Sequence, residues 1–185
     1  HDFFDRMGGR VLPNGHSVLG TQFSIHSGYG QVPEYEAAMR QAHGEERAAE
    51  ILQRSPQNAL CFPSLALKGS PQAIRVIRPL AADRTVVEAW SFRVEGAPDL
   101  LFQRSVTYNR LAFSPMSVVA HDDLHLFQGI QKSLRADGNE WVSLHRGFAP
   151  GELATPTRDV NGTNEMLMRN QFRAWVKFMS LDMAD

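Results

Sequence analysis

The sequence predicts an α+β fold, on three observations. Short strand-like runs cluster between Asn58 and Glu95, separated by tight turn signals that favour an antiparallel meander. Longer amphipathic stretches lie mostly outside that cluster. Strands and helices therefore do not alternate one for one, which argues against a parallel doubly wound sheet.

Each element has its own warrant. His16 to His26 alternates partially, as a strand does, and runs into a turn-prone Ser-Gly-Tyr-Gly stretch. From Pro33 to about Ser55 the residues are mainly Glu, Ala, Met, Arg and Gln, with Tyr35, Met39, Ala42 and Ile51 at partial helical spacing. Pro33 suits a first helical turn. Leu60 to Leu67, Ala73 to Ile77 and Val86 to Val94 read as three strands, separated by Lys-Gly-Ser-Pro and Ala-Ala-Asp-Arg. Arg75 and Arg78 interrupt the middle run, so one of its faces is expected to meet solvent. Beyond Pro98, Leu100, Leu101, Val106 and Leu111 mark a helix, and Phe113 to Ala120 a loop. A second helix follows, with an apolar stripe through Leu126, Phe127, Ile130 and Leu134. Glu140 to Arg146 reads as a short strand and Gly147 to Gly162 as loop. A last helix, from about Thr163 to Met183, carries Met168, Phe172, Trp175, Val176 and Met179.

Composition narrows the function. The chain has 185 residues, the size of one domain. Nineteen basic against twenty acidic residues leave a formal net charge of -1, with no global attraction to nucleic acid or an anionic membrane. No apolar run approaches the roughly 18 residues of a membrane span, and no signal peptide is visible. Cys61 is the single cysteine. It rules out an internal disulfide, fits a reducing, cytoplasmic setting, and rules out a four-cysteine zinc or iron–sulfur site within these residues.

The sharpest chemical signal is Asp123. Extending the stripe of Leu126 and Phe127 backwards lands on this carboxylate, and an unpaired charge on a buried face is severely penalised. An arginine, a set of backbone N–H groups at a helix cap, or a metal ion would each satisfy it. The neighbouring string His121-Asp-Asp-Leu-His125 invites a different metal site. At about 100° per residue, however, Asp123 points opposite the midpoint of the two histidines, so one ion cannot easily take all three. Both histidines are expected to face solvent or a neighbouring element. Asp122 suits the first turn of a helix through the dipole.

Several stretches, in order, resemble one family. They are Asn58-Ala-Leu-Cys-Phe-Pro-Ser64, Ile74-Arg-Val-Ile-Arg-Pro79 with Thr85-Val-Val-Glu-Ala-Trp90, Ser114-Pro115 leading to Asp122-Asp-Leu-His-Leu-Phe127, and Trp141-Val-Ser-Leu-His-Arg-Gly147. The ending Glu165 to Trp175 extends the match, and order and spacing agree over roughly residues 11 to 180. Together they resemble the catalytic domain of the α subunit of Rieske-type aromatic-ring-hydroxylating oxygenases. The resemblance implies a helix-grip architecture, a curved antiparallel sheet packed on a long carboxyl-terminal helix. It also implies a mononuclear non-haem Fe(II) held by two histidines and an aspartate, which leaves positions open for dioxygen.

Carried over position by position, the aspartate is Asp123. His1 corresponds to the second histidine or else is a boundary residue, and the first histidine is expected upstream. His16 falls on a Gly-His pair expected to be structural. Phe113 resembles a pocket-shaping aromatic and Asn58 a polar group facing the same cavity, with Met116 and Val119 as further lining residues. Ordinary core packing is the competing account of Phe113, Met116 and Val119. Met116-Ser117 replaces a glycine common in the family, which alters the shape of that loop.

A Rieske [2Fe–2S] cluster needs two cysteines and two histidines, so it is expected on a missing upstream domain. Residues 1–185 are then one catalytic-domain fragment, inactive alone. Implied partners are an aromatic substrate, dioxygen, an electron-transfer ferredoxin or reductase, a β subunit and a trimer of α subunits. Two other functions stand beside this one. A non-catalytic hydrophobic-ligand-binding helix-grip domain predicts Asp123 neutralised by an arginine. A zinc or iron hydrolase requires His121, His125 and Asp122 to converge within about 2 Å of one ion.

Overall fold

The strand-rich centre of the chain does form a meander, and the sheet extends beyond it. A computed structural model describes residues 2–25, 31–53, 58–69, 73–136, 138–152 and 157–180. A short helix α1 (Asp2–Arg6) leads into β1 (Gly9–Val11), a 3-10 turn (Pro13–Gly15) and β2 (Ser17–Leu19). Two helices follow, α2 (Pro33–His43) and α3 (Glu45–Gln53), then the meander β3 (Asn58–Cys61), β4 (Leu65–Lys68), β5 (Ala73–Ala81) and β6 (Arg84–Ser91). Next come α4 (Asp99–Phe113), α5 (Val118–Ser133), β7 (Arg158–Val160) and α6 (Met166–Met179). Among the described residues the sheet has seven strands in the order β6-β5-β4-β3-β2-β1-β7. All neighbouring pairs are antiparallel. The fold is α+β, as the sequence predicts.

Departures from the sequence reading have local causes. The run Leu60 to Leu67 is a hairpin, β3 and β4 about a turn at Phe62–Ser64, where Pro63 cannot donate to a ladder. The helix read from Pro33 onward is broken at Gly44, whose φ of 77° no helical residue adopts. The strand read from His16 ends at Leu19, and Gly20 turns back to bond the carbonyl of Gly8 at 2.8 Å. Residues 26–30 and 54–57 lie outside the described set, as do 181–185 beyond the last helix.

Glu140 to Arg146 is not a strand. It is tied instead to the start of α6, where the Glu165 amide donates to the Arg146 carbonyl and the Arg146 amide to the Glu165 carboxylate. The extra strand β7 comes from the stretch read as loop. It is recruited by β1, where Arg10 meets Asp159 through two hydrogen bonds of 2.6 and 2.9 Å. The Asp159 carboxyl is held below its usual range chiefly by the bond from Arg10.

Ladder register decides which side chains share a face, because directly paired residues point the same way. Gly9, Leu19, Asn58, Lys68, Ala73 and Ser91 form one cross-sheet row. Val11, Ser17, Leu60, Ala66, Arg75 and Ala89 form the next row on the same face. The two ends of this face are covered by different helices. A Cβ placed on Gly9 would lie 3.2 Å from Leu167 of α6, while Asn109 of α4 bonds Ser91 on β6. Between α6 and α4 this face presents Leu19, Leu60, Asn58, Lys68, Ala66 and Ala89 as the floor of a trough, with Ala73 buried at its edge. This arrangement is compatible with the helix-grip expectation.

The far side of β5–β6 is wet. It carries Arg78, bonded to Glu88 at 2.8 Å, and Trp90, 55% exposed. Of the two arginines that interrupt this run, Arg78 supplies the solvent face the sequence predicts, whereas Arg75 points to the trough.

Candidate functional site

Helix α4 forms one wall of the trough. Towards its carboxyl end Tyr108 and Phe113 meet edge to face, with ring centroids 5.8 Å apart. Beneath them lie two cations from the floor. The Arg75 guanidinium sits 4.7 Å from the Phe113 centroid, and the Lys68 ammonium 5.9 Å from that ring and 5.7 Å from Tyr108. Lys68, Arg75, Tyr108 and Phe113 are all half-buried. Among the described residues neither cation takes part in an ion pair. Burial, and secondarily the neighbouring Arg75 charge, pushes the Lys68 ammonium down to about 8.

Asn58, directly across the ladder from Lys68, has a buried amide oxygen without a hydrogen-bond partner, and so does Asn109. Orphaned buried amide groups of this kind are uncommon. Two residues that the family resemblance implies share a cavity, Asn58 and Phe113, both neighbour Lys68. The aligned Lys68–Arg75 pair was not legible in the sequence. Lys68 there belongs to a turn signal, Lys-Gly-Ser-Pro, and only the register of β3, β4 and β5 puts it beside Arg75.

Helix α5 is launched from the end of α4 by Ser117. Its hydroxyl accepts from the Ala120 amide at 3.0 Å and donates to the Ala112 carbonyl at 2.9 Å. The helix cap is therefore Ser117 and not Asp123, which lies further along the helix. Asp123 is half-buried, whereas His121, Asp122, Leu124 and His125 around it are exposed. Among the described residues it has neither an ion pair nor a hydrogen bond, so no arginine neutralises it. The stripe that Asp123 heads is open: Leu126, Phe127 and Ile130 are 55%, 59% and 57% exposed.

Met116, in the α4–α5 connection, is turned to solvent, and Val119 in the first turn of α5 is half exposed. His1 lies outside the described residues. No group of three His, Cys, Asp or Glu side chains converges among the described residues. His121, His125 and Asp122 accordingly do not form the hydrolase site.

Opposite α4, helix α6 is fixed by a buried ion pair. Glu152, 2% exposed, receives two bonds from Arg169 at 2.7 and 2.9 Å and one from the Ala149 amide at 3.2 Å. Arg169 also donates to the carbonyls of Leu144 and Arg146, at 2.5 and 3.3 Å. Arg169 holds the Glu152 carboxyl below the ordinary carboxylate range, against the opposing effect of burial.

His16 is structural here as well. Its Nδ1 accepts from the Phe62 amide at 2.9 Å, and its carbonyl takes a bond from Asn170 of α6. Next to α6, Phe62, Gln171, Phe172 and Trp175 line a cavity of about 260 Å³.

No protein-family model matches the chain. It is 26% identical over 150 residues to the 2-halobenzoate 1,2-dioxygenase large subunit of Burkholderia cepacia. That alignment covers 79% of this chain and 31% of the relative. Among solved structures it resembles naphthalene 1,2-dioxygenase with indole bound in the active site, with a TM-score of 0.66 and 17% identity over 92% of this chain and 41% of that one. A mutant of the same enzyme bound to phenanthrene gives a TM-score of 0.62, again at 17% identity, over 92% of this chain and 42% of that one. The chain thus spans about a third of the curated relative's length. The resemblance drawn from the ordered motifs is borne out: the relative is a dioxygenase large subunit, and the fold is shared with a dioxygenase. None of the helices described is long and apolar enough to cross a membrane.

Proposed function

We propose that this chain is the carboxyl-terminal catalytic part of an aromatic-ring-hydroxylating oxygenase α subunit, with Asp123 as one protein ligand of a mononuclear Fe(II). The observation that carries the reading is Asp123 itself. It is a half-buried carboxylate without an ion pair among the described residues, at the head of an apolar stripe, at the position where the ordered motifs put the family's aspartate. The described residues supply one oxygen donor and bring no imidazole to it. They do not make an iron site by themselves, and the reading requires His1 and a histidine preceding it. When bound, such an iron supplies dioxygen activation next to the substrate.

What these residues do is bind and orient. The trough between α4 and α6 receives the ring, Phe113 stacks along one side, and Asn58 offers a polar contact from the floor. Met116 and Val119 belong to the rim of the same cavity. The open stripe on α5 also fits: Leu126, Phe127 and Ile130, a little over half exposed, would each gain about 1–2 kcal/mol on full burial, and the rest of the subunit would cover them. That part would carry the [2Fe–2S] Rieske cluster and take electrons from a ferredoxin or reductase. A β subunit and an α trimer complete the assembly on this reading, which places the protein in the cytoplasm, in the catabolism of aromatic compounds.

Iron content of the whole protein tests the assignment. Asp123→Ala should remove the mononuclear iron while Asp122→Ala, one residue away and exposed, keeps it. Equal iron in wild type and Asp123→Ala contradicts the reading.

A further inference from the structure

We propose that Lys68 and Arg75 form an anion-recognition subsite in the floor of the trough, which holds the carboxylate of an aromatic acid with its ring against Phe113. The inference rests on the reading that the trough holds the aromatic substrate.

Three independent features lead to it. First, two like charges are placed side by side on one face, at 4.7 and 5.9 Å from a single ring centroid, with no carboxylate in an ion pair with either among the described residues. Half-burial of both makes this arrangement costly. The aromatic faces return only part of that cost, and the desolvation and mutual repulsion of the pair remain. A carboxylate between the two would. Second, the surroundings suit a flat apolar ring more than a free inorganic anion. Ala66 and Ala89 floor the trough beside the cations, with Leu19 and Leu60 further along it and Tyr108 and Phe113 above.

Third, the orphaned amide of Asn58 stands across the ladder from Lys68. A primary amide can present either its oxygen or its NH₂ by rotation, so Asn58 is free to donate to the same anion. The three groups differ in what they offer: Arg75 a planar fork, Lys68 a point charge, Asn58 a neutral donor. Other sheet neighbours of the pair do not compete for the anion, because Arg78 and Glu88 are bonded to each other on the opposite face.

The test measures equilibrium binding of benzoate, benzamide and inorganic phosphate to the whole protein. Benzoate should bind at least tenfold more tightly than benzamide. Lys68→Met and Arg75→Met should each weaken benzoate about tenfold to a hundredfold and change benzamide less than threefold. Lys68→Arg, which keeps the charge, should recover most of the loss and so separates charge recognition from misfolding. Equal affinity for benzoate and benzamide overturns the proposal, as does benzoate binding that neither Met substitution moves. Phosphate binding more tightly than benzoate, with the same mutational losses, overturns its aromatic part. Asp123→Ala separates this proposal from the functional reading. Iron unchanged in that variant, with benzoate discrimination intact, defeats the oxygenase assignment and leaves the subsite standing.

Discussion

Replacing Glu152 by glutamine should loosen the whole junction between the 144–152 segment and α6. The carboxylate is 2% exposed and its arginine partner's side chain 13% exposed, so water cannot substitute for a lost bond on either side. Glutamine keeps one acceptor for Arg169 but turns an NH₂ toward a guanidinium that cannot release its proton. Removing one partner of such a buried pair costs about 3–5 kcal/mol. The carbonyls of Leu144 and Arg146 still accept from Arg169, which places the expected cost near the lower end, about 3 kcal/mol.

Amide hydrogen exchange reads that cost locally. Protection at Ala149, Arg146 and Glu165, whose amides donate to Glu152, to Glu165 and to the Arg146 carbonyl, should fall about a hundredfold, at 1.4 kcal/mol per decade. Helix α5, which has no bond to this junction, should exchange as before. Glu152→Ala combined with Arg169→Met should recover part of the loss, because it leaves no orphaned charge. Unchanged protection in Glu152→Gln would refute the argument, since the pair would then be decorative. The pH dependence has a definite sign. The folded-state carboxyl is held below its ordinary value of 4.5, so the stabilisation is complete above that value and disappears as pH falls through the lowered one.

Gly15→Ala should destabilise the docking of α6, because φ is 83° there and a Cβ would lie 2.8 Å from both Ala174 and the Phe62 ring; faster exchange confined to α6 and the 3-10 turn, by about 1–3 kcal/mol, is the expected result. Ser117→Ala removes the cap of α5 and should cost about 1 kcal/mol, read as loss of protection at Ala120. In the Lys68–Arg75 subsite, benzoate affinity of the whole protein should decline as pH rises through about 8, where free Lys68 gives up its proton. Arg75 and Tyr108 are the other groups that face this ammonium; Lys68→Arg should flatten the decline, and a profile that is equally steep in that variant counts against Lys68 as its source.

The elements easiest to read in the sequence were those with a strong period and a clear punctuation mark. Helix α4 begins after Pro98 and α5 carries its stripe at steps of three and four, so both were legible, as was the antiparallel character of the meander. What failed was short or context-dependent. Three residues of β7 are too few to show a period of two, and they become a strand because β1 needs a partner. Trp141 to Arg146 has strand-forming composition but pairs with no strand among the described residues, and hydrogen bonds to Glu165 and Arg169 hold it instead. The division of α2 from α3 depends on one glycine in an otherwise continuous helical composition.

Candidate site residues divide along a similar line. Asp123 could be found by phase alone, because helical geometry puts it on the same side as Leu126, Phe127 and Ile130, and it is the half-buried member of its exposed neighbourhood. Phase could not show that the stripe would be open in this chain, since burial belongs to whatever packs against a helix and not to the helix itself. Lys68 and Arg75 are seven residues apart on different strands, in runs whose charged positions look like solvent faces. Their meeting is a consequence of register: Lys68 opposes Ala73, and Arg75 stands two residues along the same face. Charge clusters built across a sheet leave no local spacing to detect, whereas those built along one helix do. A charge pair assembled on a sheet floor is for that reason harder to see in sequence than a carboxylate placed on a helix.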